Sequence, residues 1–213
     1  MTMLRMVSAA LVLASPVALA HREPAAAAPS ALPAALASTP HLAAIRQAPD
    51  FTLTDTRGQQ VRLAQLQGRT VLLAFIFTHC SSACPLLSSR MGLLQARLAK
   101  GGLFPARVAL LSVTVDPQRD SAEVLERYAR RFDARPGWHF LRDPPERMRP
   151  VLAAYDEWTK ILPDGDVDHP ARLYLIDPNG RIREIYSLAF FDERQAMLDI
   201  EAIDKEGRAA PRR

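Results

Sequence analysis

Two cysteines are all that the chain contains, and they stand close together in Phe77-Thr78-His79-Cys80-Ser81-Ser82-Ala83-Cys84-Pro85. They follow the apolar run Val71 to Phe77 directly. A strand that ends in two thiols opening a helix suits soft-metal or redox chemistry. The thiolate is the reactive form, and the partial positive charge at a helix N-terminus stabilises it. If Cys80 to Cys84 is helical, the i,i+4 spacing puts both sulfurs on one face, with Cβ atoms roughly 5–6 Å apart. Such a pair closes into a disulfide or grips one metal ion without moving the backbone far. A purely structural staple is the weaker reading, because a bridge around so short a loop barely constrains the unfolded chain.

The elements that must hold these thiols are legible in the pattern. Phe51 to Leu63 alternates apolar and polar residues around a turn at Thr56-Arg57-Gly58, which predicts a β-hairpin. Val71 to Phe77 reads as a central strand buried on both faces. Apolar residues at Leu86, Leu87, Met91, Leu94 and Leu98 follow helical spacing, closed by Gly101-Gly102, and make Met91 a core residue. Val108 to Val115 is a second buried strand that stops at Asp116-Pro117. Ser121 is a good N-cap for a helix to about Phe132. Trp138 to Leu141 is a short strand. Pro145 to Tyr155 is helical, with Pro150 expected to kink or divide it. Asp156 to Asp168 reads as loop. Leu173 to Asp177 and Ile182 to Tyr186 are strands joined by Pro178-Asn179-Gly180, and a last helix covers about Asp192 to Ile203. This order predicts an α/β fold: a central mixed β-sheet flanked by helices, with an N-terminal β-hairpin. Thiols at the first strand–helix junction make it thioredoxin-like.

The ends of the chain read differently. Arg5, the apolar stretch Val7 to Ala20 and Ala18-Leu19-Ala20 before His21 have the layout of a secretory signal peptide over residues 1–20. An uncleaved membrane anchor is the alternative, although the stretch falls short of the ~20 residues a span needs. Residues 21–48 are Ala- and Pro-rich and read as a linker, and 205–213 as a disordered tail. Residues 49–204 remain for one domain with a real core. The formal charge of +4 comes from scattered arginines, which speaks against nucleic acid as a partner.

Five histidines are present. His169 ends a polar loop just before a strand, where it is either a ligand reaching Cys80 and Cys84 or a loop histidine bonded to Asp168. His79 adjoins Cys80 and is expected to face solvent. His139 is expected to face away from the thiols, and His21 and His41 lie in the linker. Asp116 sits at the sheet edge that carries the thiols. It either terminates the strand, receives a proton, or orients Arg119 or the cysteine loop.

Three blocks together resemble the Sco/SenC family: Phe75 to Pro85, Val113 to Asp120 and Val167 to Gly180. The resemblance covers most of residues 48–203. It implies a thioredoxin-like domain, exported to the periplasm or tethered at the outer face of the inner membrane. It implies a copper metallochaperone that binds one copper ion and helps assemble the dinuclear copper centre of cytochrome c oxidase. It maps the copper ligands onto Cys80, Cys84 and His169. The expected partners are the copper-binding subunit of the oxidase and a second periplasmic copper chaperone, and the expected state is a monomer. Two thiolates and an imidazole favour Cu(I), with Cu(II) as the other oxidation state, whereas zinc prefers a fourth ligand from Asp168 or water. Ser81-Ser82 stands where many relatives carry a proline, a change expected to tune the site rather than remove it. The competing reading is a thiol–disulfide reductase in which Cys80 attacks and Cys84 resolves. A peroxidase on the same fold is weaker, since no arginine lies near the thiols in sequence.

Overall fold

The computed structural model describes residues 42–80, 83–163 and 165–209, all within one compact unit, Leu36–Arg213. The leader, most of the linker, His21, His41, Ser81-Ser82 and the last four residues of the tail lie outside the described residues.

Fully apolar runs build the centre. β4 (Thr70–Ile76) and β5 (Val108–Thr114) are buried at every position and pair in parallel, Thr70 against Val108 through Ile76 against Thr114. Each large side chain in these strands contributes about 1.5–3 kcal/mol of burial. β6 (Trp138–Arg142) adds a third parallel strand beside β5. On the other flank β9 (Arg172–Ile176) pairs antiparallel with β4, and β10 (Arg181–Ser187) with β9. The hairpin of β2 (Thr52–Asp55) and β3 (Gln60–Arg62) joins through β6. The eight-stranded order is β1-β10-β9-β4-β5-β6-β2-β3, where β1 is Arg46–Gln47. α1 (Ala83–Lys100) buries Leu87, Met91, Leu94 and Leu98 and packs against α4 (Glu193–Ala209), while α2 (Ala122–Arg131) packs on β6. This is the expected thioredoxin-like fold.

Four boundaries differ from the sequence reading, each for a physical reason. The segment read as linker is ordered from Leu42, and β1 extends the sheet by pairing with β10. Arg183 explains both ends at once. Its buried guanidinium donates to the Leu42 carbonyl, to Asp177 and to Glu206, so it fastens the incoming strand and holds α4 helical to Ala209, past the expected end near Ile203. Gly180 allows β1 to close over the hairpin turn. Its φ is +78° and a Cβ there would meet the Gln47 side chain at 2.8 Å. Pro150 lies inside one continuous α3 (Pro145–Ala154) rather than dividing it. Pro150 and Glu146, the residue one turn before it, are both exposed, so water serves the carbonyl that loses its helical partner. Finally, the stretch read as loop forms its own small hairpin, β7 (Lys160–Ile161) against β8 (Val167–Asp168).

Candidate metal and thiol site

The parallel register of β4 and β5 sends the loops after both strands out at one sheet edge. The first loop carries the thiols. Cys80 precedes α1 instead of lying within it, and Cys84 sits in the first turn of that helix. No disulfide joins them. The Cys84 backbone N–H donates to Cys80 Sγ at 3.3 Å, so a sulfur accepts one of the N–H groups that a helix start leaves over. Cys80 is 9% exposed and Cys84 1%, so both are buried and Cys80 is the less enclosed of the two. The Cys84 thiol is pushed far above its ordinary value, first by its hydrogen bond to Cys80 and then by burial. The helix terminus was expected to favour the thiolate at both positions, but at Cys84 hydrogen bonding and burial prevail. Buried Tyr128 stands beside the pair, and its hydroxyl shares a 3.0 Å hydrogen bond with Ser88 of α1.

The second loop, Asp116 to Asp120, clamps the first. Asp120 is completely buried and gathers four donor contacts. The Thr78 N–H reaches its two oxygens at 3.3 and 3.2 Å, and the hydroxyls of Thr78 and Thr114 donate at 2.5 Å each. Burial nonetheless raises the Asp120 carboxyl above the ordinary value, with these hydrogen bonds pulling the other way. Two residues beyond Thr78 comes Cys80, so Asp120 fixes where the thiol loop begins.

Asp116 does more than end a strand. It forms an ion pair with Arg119, and Arg119 Nη1 donates to the Gly165 carbonyl at 2.6 Å. Gly165 belongs to the turn of the β7–β8 hairpin, which leads into His169. The Asp116–Asp120 loop therefore holds the thiol loop with one carboxylate and the histidine hairpin with one guanidinium. Arg119→Ala should loosen only the hairpin. We expect a cost of about 1 kcal/mol or less in stability, because the pair is partly exposed, and faster amide exchange confined to residues near Gly165, measured by hydrogen exchange.

His169 is nearly enclosed, with its side chain 4% exposed. Its ring packs edge-on against Phe77, centroids 5.8 Å apart, which brings it to the end of the strand that carries the thiols. Its polar partner is not Asp168, which is exposed in β8, but Glu157: Nδ1 lies 3.4 Å from Glu157 Oε2. Among the described residues no three His, Cys, Asp or Glu side chains are grouped closely enough to hold an ion. The structure thus brings Cys80 and Cys84 together and sets His169 nearby across Phe77, without closing a three-donor pocket. His79 is largely exposed, 3.3 Å from the Thr78 hydroxyl. His139 belongs to β6, 3.9 Å from Asp55, where burial lowers its pKa.

This geometry can be set beside known proteins. Residues 40–203 match the sequence model of a family described as SCO1/SenC. The chain belongs to this family. It is 35% identical to the mitochondrial protein SCO2 homolog of Bos taurus over 156 residues, a match that spans 68% of this chain and 57% of that protein. Among solved structures it is similar to Bradyrhizobium japonicum ScoI with copper bound, with a TM-score of 0.63 and 29% identity over 73% of this chain and 98% of that one. It is also similar to BsSco, described as a member of the Sco family of cytochrome c oxidase assembly proteins with a disulfide switch. There the TM-score is 0.65 and the identity 25%, over 78% of this chain and 98% of that one.

Two residues of this SCO1/SenC chain escaped the sequence reading. Asp120 closes the second motif block, but nothing in its spacing said that it would turn back beneath Thr78 of the preceding loop. Glu157 lay in a stretch read as loop, beside the exposed Trp158, with no signal that its own side chain is buried. No described helix is long and apolar enough to cross a membrane.

Proposed function

We propose that this chain carries copper for oxidase assembly. Reduced Cys80 and Cys84, joined by His169, take up one Cu(I) as cargo and pass it to the copper-binding subunit of cytochrome c oxidase by exchange of ligands. The observation that carries this reading is the pairing of two buried thiols at a strand–helix junction with an imidazole held against the same strand end. Soft sulfur selects Cu(I), and three donors suffice for it. The copper-bound ScoI relative supports the metal, and the Sco-family description of BsSco supports the destination. The raised Cys84 thiol has a consequence: metal uptake must release its proton, so Cu(I) affinity falls as the pH falls. Completion of the site draws His169 and the cysteine loop together, and both loops hang from the Asp116–Asp120 clamp. Export, with the leader removed or kept as a tether, is part of the same proposal, as is action as a monomer.

One observation favours a second reading, thiol–disulfide exchange. The two sulfurs are unequal. The more accessible Cys80 accepts the Cys84 N–H at the helix start, while Cys84 retains its proton, which is the asymmetry of an attacking and a resolving thiol. His169→Ala separates the two. Exchange needs no third metal donor, so the variant should reduce a model disulfide as the wild type does while its Cu(I) affinity drops on the order of a hundredfold, about 2.7 kcal/mol. Anaerobic competition titration with a chromophoric Cu(I) chelator measures it. Equal copper affinity in the two proteins would refute the three-donor assignment.

A further inference from the structure

Glu157 is buried within the fold, its side chain wholly enclosed, and its Oε1 has no hydrogen-bond partner among the described residues. Isolated buried carboxyl oxygens are costly, of the order of 1–3 kcal/mol or more in lost hydrogen bonding. Its other oxygen faces His169 Nδ1 at 3.4 Å, while the Ala171 backbone N–H points at the same nitrogen from 3.2 Å. A neutral imidazole nitrogen either donates or accepts, so Nδ1 serves one of the two. If it accepts from Ala171, an ionised Glu157 meets a lone pair and both of its oxygens go unserved. If it donates to Glu157, only the N–H of partly buried Ala171 is given up, a single neutral donor. The second arrangement loses less. Asp156 and Ala171, the neighbours of Glu157 and of the His169-Pro170 turn, both hold left-handed backbone (φ 57° and 50°), a strain kept only where the surroundings over-determine it.

We infer that Glu157 is a positioning residue for His169: it holds the ring as the Nδ1–H tautomer and so leaves Nε2 as the nitrogen available to the metal. This deepens the proposed function and rests on it for the identity of the cargo, but the tautomer itself is a property of the metal-free chain. A neutral ring bound through one nitrogen must carry its proton on the other, and a carboxylate that accepts that proton orients the ligand and raises its basicity. An uncompensated acid would otherwise be a poor choice for this position.

The test uses the full chain, reduced, metal-free and labelled with nitrogen-15, at a pH about two units above the ordinary imidazole value. Multiple-bond proton–nitrogen correlations report which ring nitrogen of His169 carries hydrogen. Wild type and Glu157→Gln, whose amide oxygen still accepts, should show Nδ1–H. Glu157→Leu should move the proton to Nε2, with Nδ1 turning to Ala171. Glu157→Leu should also bind Cu(I) about tenfold more weakly, yet unfold no more readily than wild type, because it removes an unserved buried oxygen. A wild type in the Nε2–H tautomer, or a Leu variant with its tautomer unchanged, overturns the inference. A tautomer that shifts as stated in a protein that takes up no Cu(I) upholds the role of Glu157 and defeats the copper reading instead.

Discussion

Replacing Cys84 with serine should lower Cu(I) affinity on the order of a thousandfold or more, about 4 kcal/mol, and Cys80→Ser should do the same. A hydroxyl is a hard donor that does not hold Cu(I) as thiolate does. The two variants are equal as copper binders but unequal as exchange partners. With Cys84→Ser, the less enclosed Cys80 still attacks a disulfide, and with no resolving thiol the mixed disulfide accumulates. With Cys80→Ser, the remaining thiol loses the hydrogen bond to Cys80 but stays 1% exposed, and burial alone still holds its pKa up, so far less adduct should form. Intact-mass measurement after incubation with oxidised glutathione reads both outcomes. Adducts of equal yield would show that the burial and hydrogen bonding of Cys84 do not govern its reactivity. Folding should suffer little by comparison, since sulfur and hydroxyl differ modestly in volume.

Asp120→Ala should cost on the order of 2–4 kcal/mol in stability and slow copper uptake, although Asp120 lies outside the donor set. Its four donor contacts fasten Thr78 and Thr114, and deleting the carboxylate leaves the buried Thr114 hydroxyl and the partly buried Thr78 donors unserved. Asp120→Asn keeps an oxygen and should be far milder. The pH dependence sharpens the test. Burial raises the folded-state pKa of Asp120 above its unfolded value, so its favourable contribution is complete below the ordinary carboxylate value, near 4, and is lost as the pH rises through the raised one. Urea denaturation of wild type and Asp120→Asn across that window should therefore show a gap that shifts toward the Asn variant with rising pH. A pH-independent gap would mean that Asp120 keeps its ordinary pKa in the fold.

These expectations depend on features that the chain declares unevenly. The buried strands β4 and β5, the hairpin turn at Pro178-Asn179-Gly180 and the Ser121 cap were readable because each rests on a short-range rule: continuous apolarity, a left-handed glycine, a hydroxyl before a first turn. Ser121 Oγ does accept the Val124 N–H at 3.3 Å. The thiols were equally plain, since their spacing is local. Long-range ties left no such mark. Arg183 reaches from Leu42 to Glu206, and Asp120 turns back onto Thr78, pairings that only the assembled sheet creates. His169 lies between these cases. Family resemblance marked it as a ligand, and position marked it as a loop residue, but its tie to Glu157 arises from the β7–β8 hairpin, in a stretch that polar composition had made look structureless. Thioredoxin-like topology was therefore legible early, and the clamp that joins the two halves of the site was not.

The donor set itself can be read in one measurement, the X-ray absorption spectrum of the reduced, Cu(I)-loaded protein beside that of His169→Ala. The account predicts two sulfur scatterers and one imidazole nitrogen in the wild type, with the imidazole signature lost from the variant. A wild-type spectrum of sulfur alone, unchanged by the substitution, would contradict it.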